Sequence, residues 1–137
     1  VAENSVLLDD KVADNIAYGA MRCANEAKIT GAAQASHAME FIRELPEGLQ
    51  TKIGEEEITI SQKQCQQIAI ARALLKDSPI LILDGIPSAN ESDLSVLEKL
   101  IQNRTTLIFN PHIPNFKKID RIVVLENGCI TENLTNI

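Results

Sequence analysis

Gln66-Gln67-Ile68-Ala69-Ile70-Ala71-Arg72-Ala73-Leu74-Leu75, followed three residues later by Pro79-Ile80-Leu81-Ile82-Leu83-Asp84, is the stretch that decides the fold. In its first part, Cys65, Ile68, Ala71 and Leu75 recur at helical spacing, with Ala69 and Leu74 widening the apolar face. A helix is therefore predicted from Ser61 to about Lys76, with the Ser61 hydroxyl placed to cap its free N–H groups. The second part is an apolar run without alternation, opened by Pro79 and closed by Asp84. Such a run predicts a parallel strand buried on both faces.

Downstream the same logic repeats. A helix is predicted from about Ser92 to Asn103, a strand over Thr105 to Phe109 and another over Arg121 to Leu125. Glu126-Asn127-Gly128 reads as a hairpin turn into Ile130 to Glu132. Upstream, Val6-Leu7-Leu8 closes at Asp9-Asp10, and Val12 to Tyr18 makes a brief helical pattern ended by Gly19. A longer alanine-rich helix is predicted from about Asn25 to Leu45 and stopped by Pro46-Glu47-Gly48, with a possible break at Gly31. Strands alternating with helices give an α/β layer structure, whose ligands would sit beyond the carboxyl ends of the strands.

The 137 residues suit one folding unit. Apolar residues make up 45% of the chain and aromatics only 3%, so the interior must be built from Ile, Leu, Val and Ala. A net charge of -6 disfavours a broad positive field for nucleic acid or anionic lipid, so no nucleic-acid partner is expected and any phosphate chemistry must be local. Cys23, Cys65 and Cys129 lie far apart with no CxxC spacing, which suggests neither a zinc site nor a disulfide framework and suits a reducing cytosol. No stretch approaches the roughly 20 apolar residues that span a bilayer. The chain itself is expected to be soluble.

The helix Gln66–Leu75, the strand ending at Asp84, the late strand and hairpin over Asp120–Gly128 and the segment Val12–Gly19 together resemble the ATP-binding domain of ABC exporters, in that family's order. They are similar to the helix after its LSGGQ signature, its Walker B strand, its late hairpin and the segment after its Q-loop. His37-Ala38-Met39-Glu40-Phe41-Ile42, with Leu45-Pro46-Glu47-Gly48-Leu49 and Ile53-Gly54-Glu55, is most similar to the bacterial lipid A exporter group. Related multidrug and peptide exporters share much of that pattern. The resemblance implies a partial P-loop NTPase fold: a mainly parallel sheet with helices, a helical subdomain over about 11–60, and a C-terminal α/β part over 61–137. It also implies that the chain starts downstream of the Walker A loop. The missing Walker A strand would lie between Thr105–Phe109 and Arg121–Leu125, so those strands must close up or leave exposed edges.

The family's chemistry is carried over position by position. ATP is held by a glycine-rich loop whose N–H groups and lysine surround the phosphates, and no GxxxxGK[ST] occurs in this sequence. Asp84 matches the Mg²⁺ ligand at the end of the Walker B strand. The next position, where the family places the glutamate that polarises the attacking water, is Gly85, which can neither accept a proton nor orient water. The signature reads Ile60-Ser61-Gln62-Lys63-Gln64. Ser61 and Gln64 match the family's nucleotide-binding positions, while Gln62 and Lys63 replace two glycines that let backbone approach the γ-phosphate. Pro111 stands at the switch-histidine position, with His112 one residue late, and Glu3 at the Q-loop glutamine. Ser88-Ala89-Asn90-Glu91 keeps the first two D-loop residues and departs at the last two.

These departures fall on chemistry while the apolar framework remains. The expectation is therefore an ABC-type ATP-binding segment with ATP and Mg²⁺ as family cofactors and no meaningful hydrolysis by this chain alone. The resemblance implies an ABC transmembrane domain and a second ATP-binding domain as partners, with docking through Asn25–Leu49 and Glu55, and a cytoplasmic position peripheral to the inner membrane. Its family role would be export of a lipid or drug. The alternative is a non-catalytic interaction or regulatory protein, or a functionless remnant.

Overall fold

The computed structural model describes residues 1–2, 5–54, 58–85, 91–111, 116 and 119–135, with positions 91–93 described by backbone alone. In chain order the elements are β1 (Asp10–Lys11), α1 (Val12–Ile16), a 3₁₀ turn (Gly19–Met21), α2 (Glu26–Ala35) and α3 (Ala38–Ile42). A second 3₁₀ turn (Gly48–Gln50) leads to β2 (Lys52–Ile53), α4 (Gln62–Lys76) and β3 (Ile80–Asp84). The chain continues through α5 (Glu91–Ile101), β4 (Thr105–Phe109), β5 (Arg121–Glu126) and β6 (Cys129–Thr135).

Helix α4 joins two hydrophobic cores, because its apolar residues point in two directions. Ile68 and Ala71, three apart on one face, enter a helical core with Val12, Ile16, Ala33, Ile42 and Ile53. Ile70 instead enters a second core with Leu81, Leu83, Val96, Leu97, Leu100 and Phe116, and Leu74 packs against both. The helix ends at Asp77 in the left-handed conformation (φ 49°). There the Arg104 guanidinium reaches the Asp77 carboxylate at 2.6 Å and ties the α4–β3 turn to the start of β4.

The predicted helix from Asn25 to Leu45 is two helices, and the break falls at His37 rather than Gly31, which lies inside α2. Asn25 caps α2 by accepting from the Lys28 N–H at 2.9 Å. At the other end the buried Ser36 hydroxyl donates to Ala33 O and accepts from the Ala38 N–H, competing with the backbone ladder. His37 then takes φ 60°, and its carbonyl accepts from Gln67 Nε2 on α4 at 3.2 Å.

Strands β3 and β4 pair in parallel register, Ile80 opposite Thr105 through Asp84 opposite Phe109. Val1–Ala2 adds to the other edge of β3 as a parallel bridge at Asp84. The expectation of a strand buried on both faces is not met. Leu81 and Leu83 are buried, whereas Ile80 and Ile82 are 61% and 50% exposed. On β4, Leu107, opposite Ile82, and Phe109, opposite Asp84, are exposed as well. The cause is one-sided cover: α5 packs on the Leu81/Leu83 face, and no described element covers the other.

The remaining pairs, β1 with β2 and β5 with β6, are antiparallel. The hairpin turns at Asn127-Gly128 with φ 50° and 78°, as a type I′ turn requires, and β6 runs past Glu132 to Thr135. Among the described residues β4 pairs only with β3 and β5 only with β6, so the strands have not closed up and edges stay open.

Candidate functional site

The carboxyl end of β3 is built from three strands of backbone. Asp84 is exposed and its N–H donates to Val1 O at 2.8 Å, while Val1 N donates to Ile82 O at 2.7 Å. The next residue turns out of the sheet: Gly85 N–H donates to Phe109 O at 2.9 Å and its φ is +74°. That left-handed geometry suits glycine and costs an L-residue about 1 kcal/mol. The absence of a carboxylate at position 85 is thus matched by a backbone conformation that disfavours one.

Ser61 and Gln64 sit at the N-terminus of α4, where they occupy each other. Gln64 N–H donates to Ser61 Oγ at 3.3 Å and Ser61 N–H donates to Gln64 Oε1 at 2.8 Å, a reciprocal capping box. The S-x-x-Q spacing signalled this in the sequence; only the Ser61 half was anticipated. Replacing Ser61 with alanine leaves the Gln64 N–H without its acceptor while the residue 61 N–H can still reach Gln64 Oε1, and is expected to cost about 1 kcal/mol, read as a lowered urea midpoint at unchanged slope. Gln62 and Lys63 occupy the exposed first turn.

Pro111 lies in an exposed bend just beyond β4. Glu3, Glu55, His112 and Ser88–Asn90 lie outside the described residues. Among the described residues no three His, Cys, Asp or Glu side chains gather as a metal cage. Asp84 offers one exposed carboxylate, a donor of the kind that Mg²⁺ accepts, since that cation binds one or two carboxylates and takes its other oxygens from water and phosphate. Burial pushes the Cys65 thiol above its ordinary pKa, so it is protonated and no nucleophile at neutral pH. All three cysteines are free thiols.

Two residues that sequence reasoning passed over organise the segment before α1. Asn15, fully buried, donates from Nδ2 to the carbonyls of Leu8, Asp10 and Lys11 and accepts the Leu8 N–H at 2.8 Å. Arg72 of α4 donates to Asn15 O, to Asn15 Oδ1 at 2.8 Å and to Val6 O at 2.9 Å, with its guanidinium 5.7 Å from the centre of the Tyr18 ring. The only hint was a charge inside an otherwise apolar stretch of helix. Residues of α2, α3 and the turn after it form an open groove of about 360 Å³ lined by Glu26, Thr30, Met39, Ile42, Arg43 and Leu49.

A capped helix packed on a parallel strand that ends in an exposed aspartate, with a separate helical module beside it, is the arrangement of a P-loop-type ATP-binding domain. The sequence pattern of the family described as ABC transporter matches residues 1–86, and the chain belongs to that family. It is 47% identical to the ATP-dependent lipid A-core flippase of Alkalilimnicola ehrlichii over 99% of this chain and 24% of that protein. With the flippase of Methylobacillus flagellatus the identity is 44%, over 96% of this chain and 24% of the relative. A bacterial Atm1-family ABC exporter solved with ATP bound superposes with a TM-score of 0.81 at 33% identity, covering 98% of this chain and 24% of that one. The chain therefore spans about a quarter of the length of these relatives, and within them it corresponds to part of an exporter-type ATP-binding domain. No helix among the described residues is long and apolar enough to cross a membrane.

Proposed function

We propose that residues 1–137 act as a single unit, the C-terminal part of an ABC exporter's ATP-binding domain, that couples to a membrane partner without hydrolysing ATP by itself. The observation that carries this reading is the contrast at the end of β3. The packed α4–β3 framework and Asp84 are present, while Gly85 follows in a left-handed turn where a water-polarising carboxylate would be needed. Asp84 would hold Mg²⁺ and Ser61 and Gln64 would face the phosphates of ATP, whose main cradle other residues must supply. By the family resemblance Glu3 is a further nucleotide-binding position. The role assigned to it is export of a lipid A-like lipid or a drug, at the inner membrane and with a second ATP-binding domain; the flippase relatives support the lipid.

The docking surface is the helical module from Asn25 to Leu49, with Glu55. The groove between α2 and α3 supports it, because it combines an apolar floor at Met39, Ile42 and Leu49 with charged rims at Glu26 and Arg43, the make-up of a site for an amphipathic helix.

Calorimetry with ATP and Mg²⁺, together with pull-down by the transmembrane domain of a lipid A-core flippase, tests the reading. Capture by that domain, reduced by Met39→Glu, is expected. A folded chain that binds neither nucleotide nor the transmembrane domain would favour the alternative, a non-catalytic interaction or regulatory protein or a functionless remnant of an ABC domain.

A further inference from the structure

We propose that the open edge of β4 pairs with the same edge of a second copy of this chain, antiparallel about a two-fold axis at Leu107, and that residues 1–137 form a weak homodimer through it. Thr105 N–H donates to Pro79 O at 2.9 Å and Phe109 O accepts from Gly85 N–H at 2.9 Å, so both residues turn their backbone groups toward β3. Backbone groups alternate sides along a strand, which sends the N–H and C=O of Thr106 and Ile108 to the opposite edge. Among the described residues no strand pairs there. The edge is also unguarded. Thr105-Thr106-Leu107-Ile108-Phe109 contains no charge and no proline, and its register with β3 runs without a bulge, whereas natural sheets blunt an exposed edge with such devices.

A second copy fits this edge because the edge is complementary to itself. With Leu107 on the axis, Thr106 lies opposite Ile108 of the second copy, and each such pair exchanges both of its N–H···O bonds. Leu107 then faces Leu107 of the second copy in a non-hydrogen-bonded pair, the closer kind, and Thr105 faces Phe109 of the second copy. Leu107 and Phe109 are half-exposed in the single chain, and each gains a cross-strand neighbour. Charge does not oppose the contact, although each copy carries a net charge of -6. Arg104, the charged residue beside the strand, is only 10% exposed and is already paired with Asp77. The two Asp84 carboxylates would lie three strand spacings apart sideways and four residues apart lengthwise, roughly 20 Å, which exceeds the screening length of about 8–10 Å. The contact is smaller than a standard stable interface, so half-dimerisation is expected on the order of 100 μM. It uses neither the α2–α3 groove nor Ser61 and Gln64, and it stands independently of the function proposed above.

Sedimentation equilibrium on the full chain from about 10 μM to about 1 mM reads the association, and amide hydrogen exchange at the two ends of that range locates it. A monomer–dimer equilibrium is expected. The Thr106 and Ile108 amides should exchange about 4-fold more slowly at the high concentration, while those of Thr105 and Gly85, already held within the β3–β4 pair, stay unchanged. Thr106→Pro removes an outward N–H without touching the ladder to β3, and is expected to weaken the dimer about 10-fold or more. Leu107→Lys and Leu107→Glu each place like charges on the axis and are expected to be monomeric alone, whereas an equal mixture of the two recovers a dimer. Failure of the mixture to do so would overturn the register. A monomer throughout the range would overturn the proposal and leave the edge to a strand from another segment or protein. A dimer that survives Thr106→Pro with its Thr106 and Ile108 amides unprotected when unsubstituted would mean that two sheets stack by their apolar faces, which also overturns it. Should Thr106→Pro not fold, the charge pair and the amide pattern of the unsubstituted chain decide.

Discussion

A phosphate-release assay on the purified chain with ATP and Mg²⁺ is expected to show no turnover, and Gly85→Glu alone is expected not to restore it. A water-polarising carboxylate and a histidine that contacts the γ-phosphate each contribute roughly 10² to 10⁴ in rate. On the reading proposed above the first position is Gly85 and the second Pro111, which has no side-chain donor or acceptor. Restoring glutamate at position 85 meets a backbone φ of +74°, which costs about 1 kcal/mol and aims the side chain differently from an extended strand residue. Nor does the sequence contain a glycine-rich loop with its lysine to hold the phosphates. Turnover by pure protein that disappears in Asp84→Ala would overturn the hydrolysis-deficient reading.

Asn15→Leu is expected to destabilise the chain by about 3 kcal/mol, although leucine is close to asparagine in size and the site is fully buried. The substitution leaves the Leu8 N–H without its acceptor and three carbonyls without their donor. It also removes the Oδ1 acceptor of a half-buried Arg72, and an unpaired charge is dearer than an unpaired amide. For a chain of this length that loss lowers Tm by about 10 °C, measurable by calorimetry or by urea unfolding at unchanged slope. A shift under about 1 kcal/mol would show that water replaces the amide and that the network is not a folding determinant.

The sheet explains why some expectations from sequence needed correction. An unbroken apolar run is the mark of a strand covered on both faces, and Ile80–Leu83 carries that mark. Whether cover is present depends on other elements, and α5 supplies it on one face only. The open β4 edge and the outward Ile80, Ile82, Leu107 and Phe109 follow from the same cause. The helix break at His37 was hidden for a different reason. Gly31 has the weaker helix propensity, but α2 runs through it, and the buried Ser36 hydroxyl with the Gln67 contact from α4 sets the break six residues later.

By itself the sequence determined what local chemistry can encode: helix α4 with its Ser61 cap, the strand to Asp84, the Asn127-Gly128 hairpin and the family to which their order belongs. It also carried the resemblance on which Gly85 and Pro111 are matched to the family's catalytic positions, and those two residues have no side-chain donor or acceptor. Tertiary structure alone decided what depends on partners distant in the chain. The pairing of Ser61 with Gln64 was legible as a spacing, but the left-handed turn at Gly85, the seat of Val1–Ala2 on β3 and the meeting of Arg72 with Asn15 across 57 residues were not. Hydrophobic periodicity records which face of an element is apolar; it carries no record of which carbonyl a guanidinium will find, because that is set by how α4 and the segment before α1 are brought together.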